Sequence, residues 1–452
     1  MLWRHLCLVR AWSAAGLLSG LMVFGGSLAP AQTTRPVDPE SSSPPAAVVT
    51  ETVEVLKGSK AGDLSVVARG AGQERVKLTI RNTSGKRLNV ILPPGLVAAA
   101  AAGQGRAGGG LQSMGLGAPS NRLGSFGQFR GAGVEGLQSV PIDDPTSASR
   151  ITIPASETTE LVIPAVCLNF GLPTPTPRDT FTLMDVDDYS PDVRVRKSLR
   201  SLVLLGTSLG VAQSVMWRVC NDVPFETMAT QGGKIMNEHE IALAARFIEA
   251  VDASGSDLVD PASLTEGRLF VRVLGEGSLA REARRLSDQM EKQRLLGLPV
   301  RVLDSGELPT ASAPAMLVKV VLTDTKIGET RGRLLVSYCS QPDQWTSMGK
   351  VTFQENSSLA VLDGQALCKA LDRTLASAFV NVRPAKRSAG STTLKVENHL
   401  PFTLAAIGLR AGGSAGAPTV PFPAIGVGPA RTALVPIQAS SATIESVELN
   451  GL

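Results

Sequence analysis

The sequence predicts a multidomain α+β protein in which two immunoglobulin-like β-sandwich units flank a small helical domain and an α/β sandwich domain. Three observations predict this. A hairpin pattern near the N-terminus returns near the C-terminus, capped helices with apolar stripes follow the first copy, and strands alternate with helical stripes beyond residue 263. A chain of 452 residues exceeds what one core usually holds, so several domains are expected.

Residues 1–31 have the order of a secretory signal. Arg4 and Arg10 lead an apolar stretch, and Ala29-Pro30-Ala31 supplies a small-x-small cleavage site. Gln32, not a cysteine, stands directly after that site, and no later stretch is long and apolar enough for a membrane span. A secreted or periplasmic protein follows, with no transmembrane segment beyond the signal. The formal charge of +4 falls to roughly +2 once Arg4 and Arg10 are removed, too little to support nucleic-acid binding.

Residues 32–63 open with Pro, Ser and Thr and read as a disordered linker. The first β-sandwich occupies 64–165. Its clearest stretch is Val76 to Leu92, where Leu78 and Ile80, then Leu88, Val90 and Leu92, alternate around Asn82-Thr83-Ser84-Gly85 as a hairpin. Residues 98–139 are rich in Ala, Gly, Ser and Gln without an apolar period, which predicts a flexible insertion.

The helical domain covers 166–262. Ser190-Pro191-Asp192 is a helix start with Ser190 as cap, and Asn237 with Glu240 forms a capping box. In the α/β domain, 263–385, LFVRVL is a strand, and Leu279, Ala283, Leu286 and Met290 stripe one helix. Further strands follow at Val300–Val302, Met316–Leu322, Leu334–Tyr338 and Val351–Phe353, then a helix from Gly364 to Phe379. In the last unit, 386–452, Leu394, Val396, Asn398 and Leu404 repeat the spacing of Leu78, Ile80, Asn82 and Leu88. An Asn closing each strand can bond its own turn, which gives the repeat a physical reason.

The side chains with reactive potential are few. Gly206-Thr207-Ser208-Leu209-Gly210 spells GxSxG, and Asp324 or Asp363 followed by His399 keeps a hydrolase order around Ser208. The segment before Gly206 carries a helix cap and cations, however, and favours a turn between helices over a strand-to-helix elbow. Only His239 and His399 lie outside the signal, so a His triad for metal is excluded by count, and His239 reads as a surface residue. Asp185, Asp187 and Asp188 open like a calcium loop but lack its glycine, and Arg196 stands where its glutamate belongs. They read as an acidic turn facing the basic helix. No cofactor fingerprint is present.

Cys167, Cys220, Cys339 and Cys368 remain after Cys7 leaves with the signal. Four allow three pairings, with Cys167–Cys220 and Cys339–Cys368 favoured by proximity; buried free thiols are the alternative.

Gln213-Ser214-Val215-Met216-Trp217 resembles the Gln-x-Ala-Ile-Trp segment of thioester adhesin domains. That resemblance implies a bond between Cys167 and Gln213 that later captures an amine. Ala212 and Val215 depart from the motif, and Cys220 competes for Cys167. The block around Cys167, Leu168, Gly171, Ala212, Gln213, Trp217, Asn221, Phe225 and Glu226 also resembles an uncharacterised family of secreted bacterial proteins with a Gly-rich insertion. This implies export and the domain order, and no activity. The expectation is an exported, non-enzymatic binding or structural protein acting on an unknown protein or cell-envelope component. A thioester adhesin using Cys167 and Gln213, then a serine hydrolase using Ser208, are the alternatives.

Overall fold

The computed structural model describes residues 50–100, 110–117, 150–231, 236–304, 306, 308–312, 314–323, 328–388, 391–411, 419–421, 427–437 and 442–449. The expected signal segment, residues 32–49 of the expected linker and most of the Gly-rich insertion lie outside these. The described chain is mixed α and β and rich in strands. No helix among the described residues is long and apolar enough to cross a membrane.

The first β unit comprises β1 (Thr50–Glu54), α1 (Val55–Ala61), β2 (Leu64–Gly70), β3 (Arg75–Asn82), β4 (Arg87–Ile91), β5 (Leu96–Ala100), β6 (Met114–Leu116), β7 (Arg150–Ile153), β8 (Thr158–Cys167) and β9 (Thr180–Asp185). Strands β1, β4 and β7 make a three-stranded sheet, while β2-β3-β8-β6-β5-β9 close into a barrel. Three expectations are corrected here. The stretch 32–63 is not all linker, because β1 pairs in parallel with β4 and α1 buries Val55. The insertion 98–139 is not all flexible. Ala98 to Ala100 continue β5, and Met114 and Leu116 are buried in β6. Small residues suit this place: a Cβ on Gly115 would lie 2.8 Å from Leu199 Cδ1, so glycine lets a helix approach the strand closely. Finally, the first β unit does not end at 165, and its larger sheet closes into a barrel. β9, from the stretch assigned to the helical domain, pairs with β5 and with β2 and so joins the two ends.

The helices are α2 (Val186–Tyr189), α3 (Val193–Leu204), α4 (Leu209–Asn221), α5 (Phe225–Gln231), α6 (Glu238–Ala253) and α7 (Pro261–Thr265). Asp192 is the cap of α3, accepting from Arg194 N, where Ser190 was expected; the helix begins only at Val193, and Ser190 instead ends α2. The Asn237–Glu240 capping box is present as the sequence predicts. Val97, Ala99, Val166 and Leu168 face outward from the barrel and share one core with α3, α4 and α6. The helices thus lie directly on barrel strands, buried on both faces there.

The α/β unit contains β10 (Leu269–Leu274), α8 (Leu279–Met290), β11 (Arg294–Leu295), β12 (Leu298–Val302), β13 (Ala315–Thr323), β14 (Thr330–Gln341), β15 (Gln344–Glu355) and α9 (Gly364–Phe379). Its sheet runs β11-β12-β10-β13-β14-β15, parallel at β12-β10-β13 and antiparallel beyond. Alternation along β10 sends Leu269 and Val271 to the core under α8 and α9, and Phe270 to a smaller cluster on the other face. The last unit holds β16 (Val380–Ser388), β17 (Ser391–Asn398), β18 (Leu404–Ala411), β19 (Thr419–Pro421), β20 (Thr432–Ile437) and β21 (Ala442–Leu449), in sheets β16-β17-β20 and β19-β18-β21. Leu394, Val396 and Phe402 continue the core of α9 without a break.

The sequence repeat has a structural counterpart. Asn82, fully buried, spreads its amide over Lys86 O (2.7 Å), Ile153 O (3.1 Å) and Pro154 O (3.0 Å). Asn398 does the same with Phe402 O (2.6 Å), Val427 O (2.9 Å) and Gly428 O (3.2 Å). The main-chain bonds also correspond: Asn82 N to Glu157 O and Asn398 N to Arg431 O, then Thr83 N to Asp63 O and His399 N to Phe379 O. Likewise β3 lies between β2 and β8 as β17 lies between β16 and β20.

Candidate functional site

The end of β8 meets the middle of α4, and three of the predicted residues come together there. Strand alternation places Cys167 with Leu161, Ile163 and Ala165 in the barrel core, while Val166 faces the helices. Helical spacing puts Gln213 and Trp217 on one face of α4. Cys167 N–H donates to Gln213 Oε1 at 2.8 Å, and Gln213 Nε2 donates back to Cys167 O at 2.9 Å. Cys167 is 1% exposed and Gln213 4%, so this amide clamp is sealed from solvent. It satisfies the Cys167 donor and acceptor on the side where the β3 ladder, which ends at Arg75–Pro164, no longer reaches, while β6 pairs the other side.

The sulfur of Cys167 donates to Asn169 O at 3.2 Å. Burial pushes its thiol pKa up, against opposing hydrogen bonds from the Trp217 indole and the Asn169 main chain. Burial pushes the Cys220 thiol up to about 12, with smaller contributions from Asp192 and Cys167. Both are therefore protonated thiols at neutral pH, and Cys167 needs its proton removed to act as a nucleophile.

The loop after Cys167 covers this seam. Its conformation is fixed by the return of the Gly-rich insertion: Leu168 N bonds Ser113 O at 2.9 Å, and Ser113 N bonds Asn169 Oδ1 at 2.8 Å. Phe170 N donates to Asn221 Oδ1 at 2.9 Å, and the Phe170 ring meets Trp217 edge-on at 4.9 Å between centroids. Phe170 is 40% exposed and Trp217 7%, so the outer ring shields the inner one.

A second buried cluster was not anticipated. Glu240, 2% exposed, accepts from Ser208 Oγ (3.0 Å), Asn237 N (3.0 Å) and Arg431 Nε (3.1 Å). A Cβ on Gly210 or Gly428 would collide with this carboxylate. Asn237 Nδ2 also donates to Pro429 O at 2.7 Å, so the cluster fastens α4 and α6 to the last β unit. Burial raises the Glu240 pKa against the opposing pull of Arg431. Glu240 was legible in the sequence as a cap residue; the approach of Arg431, distant in sequence, was not.

The remaining candidates fall apart in space or take structural places. Ser208 is 2% exposed and caps α4 through Val211 N, and helix α3 precedes Gly206, so the strained elbow is absent here. Asp363 caps α9 through Ala366 N, His399 is exposed in its hairpin, and Asp324 lies outside the described residues. His239 is not a surface residue as expected; it packs against Tyr338 with ring centroids 5.6 Å apart, and burial lowers its pKa. Arg200 bonds both Asp185 (2.8 Å) and Asp187 (2.7 Å), which holds the acidic turn to α3. The four cysteines among the described residues, Cys167, Cys220, Cys339 and Cys368, are unbridged. Cys339 and Cys368 cannot pair across this fold, since they lie in clusters on opposite faces of the six-stranded sheet. No family model, curated protein or solved structure matches the chain.

Proposed function

We propose that this chain is an exported binding or structural protein that acts on a protein or other component of the cell envelope. The observation that supports this reading is the use made of its reactive side chains. Ser208 joins α4 to Glu240, and the amide of Gln213 joins α4 to β8. Both serve the assembly of the fold. We read the two β units, each built on a buried Asn, as copies of one small immunoglobulin-like sandwich, a type of unit suited to presenting loops at its ends. A fluorophosphonate probe separates this reading from the hydrolase alternative. Folded protein is expected to remain unlabelled, and labelling abolished by Ser208→Ala would overturn it.

A specific contact favours covalent capture as a second reading: the Gln213 carboxamide bonds the main chain of Cys167, the residue whose thiol would attack it. In that chemistry the Cys167 sulfur attacks the Gln213 Cδ, the C–N bond breaks, and the thiol proton departs with the nitrogen as ammonia. A primary amine would later attack the thioester carbonyl, form an amide and return the thiol. The intact mass of the exported protein tests it. A thioester lowers the mass by about 17 Da, a disulfide by about 2 Da. An unchanged mass that also stays unchanged in methylamine would end the second reading.

A further inference from the structure

The six-stranded sheet ends on β15, a strand of 12 residues that pairs with β14 on one side and, among the described residues, with no strand on the other. Such an edge offers a row of N–H and C=O groups to an extended chain. Pleating sends Val351 and Phe353 toward the core under α9 and leaves Lys350 and Thr352 on the opposite face. There the register sets Lys319, Leu335 and Lys350 in one row across β13, β14 and β15, and Val321, Arg333 and Thr352 in the next. Arg333 thus stands diagonally from each lysine, about 7–8 Å away at Cβ. Along these three strands that face carries no Asp or Glu, and Arg333 and Lys350 are exposed. None of the three cations has an ion pair or side-chain hydrogen bond among the described residues, whereas Arg331, one row on, is held by Glu329 at 2.7 Å. A lysine on a sheet edge wards off stray strands, which accounts for Lys350. It does not account for Lys319 and Arg333, which lie on interior strands.

We propose that β15 accepts an extended, acidic segment of a partner protein as a seventh strand. This names the class of partner for the binding role proposed above and rests on that reading. Main-chain bonds to the free edge hold the segment, and alternate side chains choose it. Those on the cationic face meet Lys350 directly and Arg333 one strand further in, while Lys319 adds its charge from a distance, so carboxylates are favoured there. Those on the other face meet α9, where Ala370, Thr374 and Ser377, with Gln354 and Glu355, line a groove of about 290 Å³. Small or β-branched side chains fit that space. Charge also decides against a second copy of this chain. Antiparallel pairing of β15 with itself keeps each residue on its own face, and the residues there are Trp345, Ser347, Lys350, Thr352 and Gln354. A second copy therefore brings another lysine and no acid.

The test uses the full exported chain and a fluorescent peptide of alternating Glu and Thr, 12 residues long to match β15. Anisotropy should show binding that weakens as salt rises. The same peptide with Lys for Glu should not bind. N-methylation of alternate peptide nitrogens, which leaves every side chain in place and removes the donors along one edge, should weaken binding at least about tenfold. Lys350→Gln should weaken it about fivefold and Lys319→Gln less than about twofold, since an added strand lies beside the first and three strands from the second. A Glu-Thr peptide that does not bind overturns the proposal. Binding that survives N-methylation, or that falls equally in the two variants, overturns it in favour of an anionic polymer adsorbed on the sheet face. A dimer of the chain that the peptide dissociates overturns it in favour of a second copy on the edge. Fluorophosphonate labelling of Ser208 would instead defeat the binding reading itself; failure of the peptide without that labelling defeats only this site.

Discussion

Replacing Glu240 with alanine tests how the helical layer is fastened to the last β unit. The side chain receives Ser208 Oγ, Asn237 N and Arg431 Nε at 3.0–3.1 Å, and the Arg431 side chain is 29% exposed. Loss of the reciprocal cap on α6 costs about 1 kcal/mol. A fully buried ion pair broken at one end costs about 3–5 kcal/mol, but partial exposure of Arg431 lets water replace much of that, leaving about 1–2 kcal/mol. Stranding the Ser208 hydroxyl contributes about 1 kcal/mol more. The expected destabilisation is therefore about 3 kcal/mol, read as a lower urea midpoint at unchanged m-value. Burial raises the folded pKa of Glu240 above its ordinary 4.5, so the folded state holds this proton more tightly than the unfolded state does. The group's contribution is thus complete below pH 4.5 and fades as pH rises through the raised value. Glu240→Gln, which cannot titrate, should flatten the pH dependence of stability across that window. Alanine within about 1 kcal/mol of wild type, or an unchanged pH slope in the glutamine variant, would refute the argument.

Other perturbations follow from the same contacts. Gln213→Ala strands Cys167 N–H and C=O in the barrel wall and should cost about 2–4 kcal/mol in chemical denaturation; a loss below about 1 kcal/mol would deny the clamp its role. Asn82→Ala and Asn398→Ala should each cost about 2–3 kcal/mol and agree within about 1 kcal/mol, since each amide spans three carbonyls; a large effect at only one would argue against equivalent units. Lys197, 7% exposed, donates to Val251 O and Ser254 O at the end of α6. Lys197→Met should therefore speed hydrogen exchange in the last turn of α6 and lower stability by about 1–2 kcal/mol.

Local signals were read well wherever one residue acts on its near neighbours. The Asn237–Glu240 box, the stripe Ala283, Leu286 and Met290, and the α9 limits at Gly364 and Phe379 are all visible as spacing. The Asn82 and Asn398 repeat was legible because the same turn chemistry is written twice. Composition misled where burial on two faces demands small side chains: Ala98 and Ala99 look like loop material, yet they lie in a strand between two cores. β9 escaped because TFTLMD follows a Pro-rich loop and has its partners far back at residues 68–69 and 96–100. At the site, Cys167 and Gln213 were paired by resemblance, and the Gln213 amide meets the Cys167 main chain while the sulfur turns to Asn169 O. The roles of Asn169, Phe170 and Arg431 depend on contacts across the fold that carry no local spacing signal.

The late arrival of β9 imposes an order on the growing chain. Until residues 180–185 emerge, β2 and β5 offer bare rows of N–H and C=O groups to any extended segment nearby, and the first unit exists only as an unclosed ribbon. A fragment stopped at Cys167 should self-associate through those rows, whereas one extended through Asp185 can pair them internally. The Gln213 amide that clamps the end of β8 lies later still in the chain than β9, so the neighbourhood of Cys167 is complete only once both have emerged.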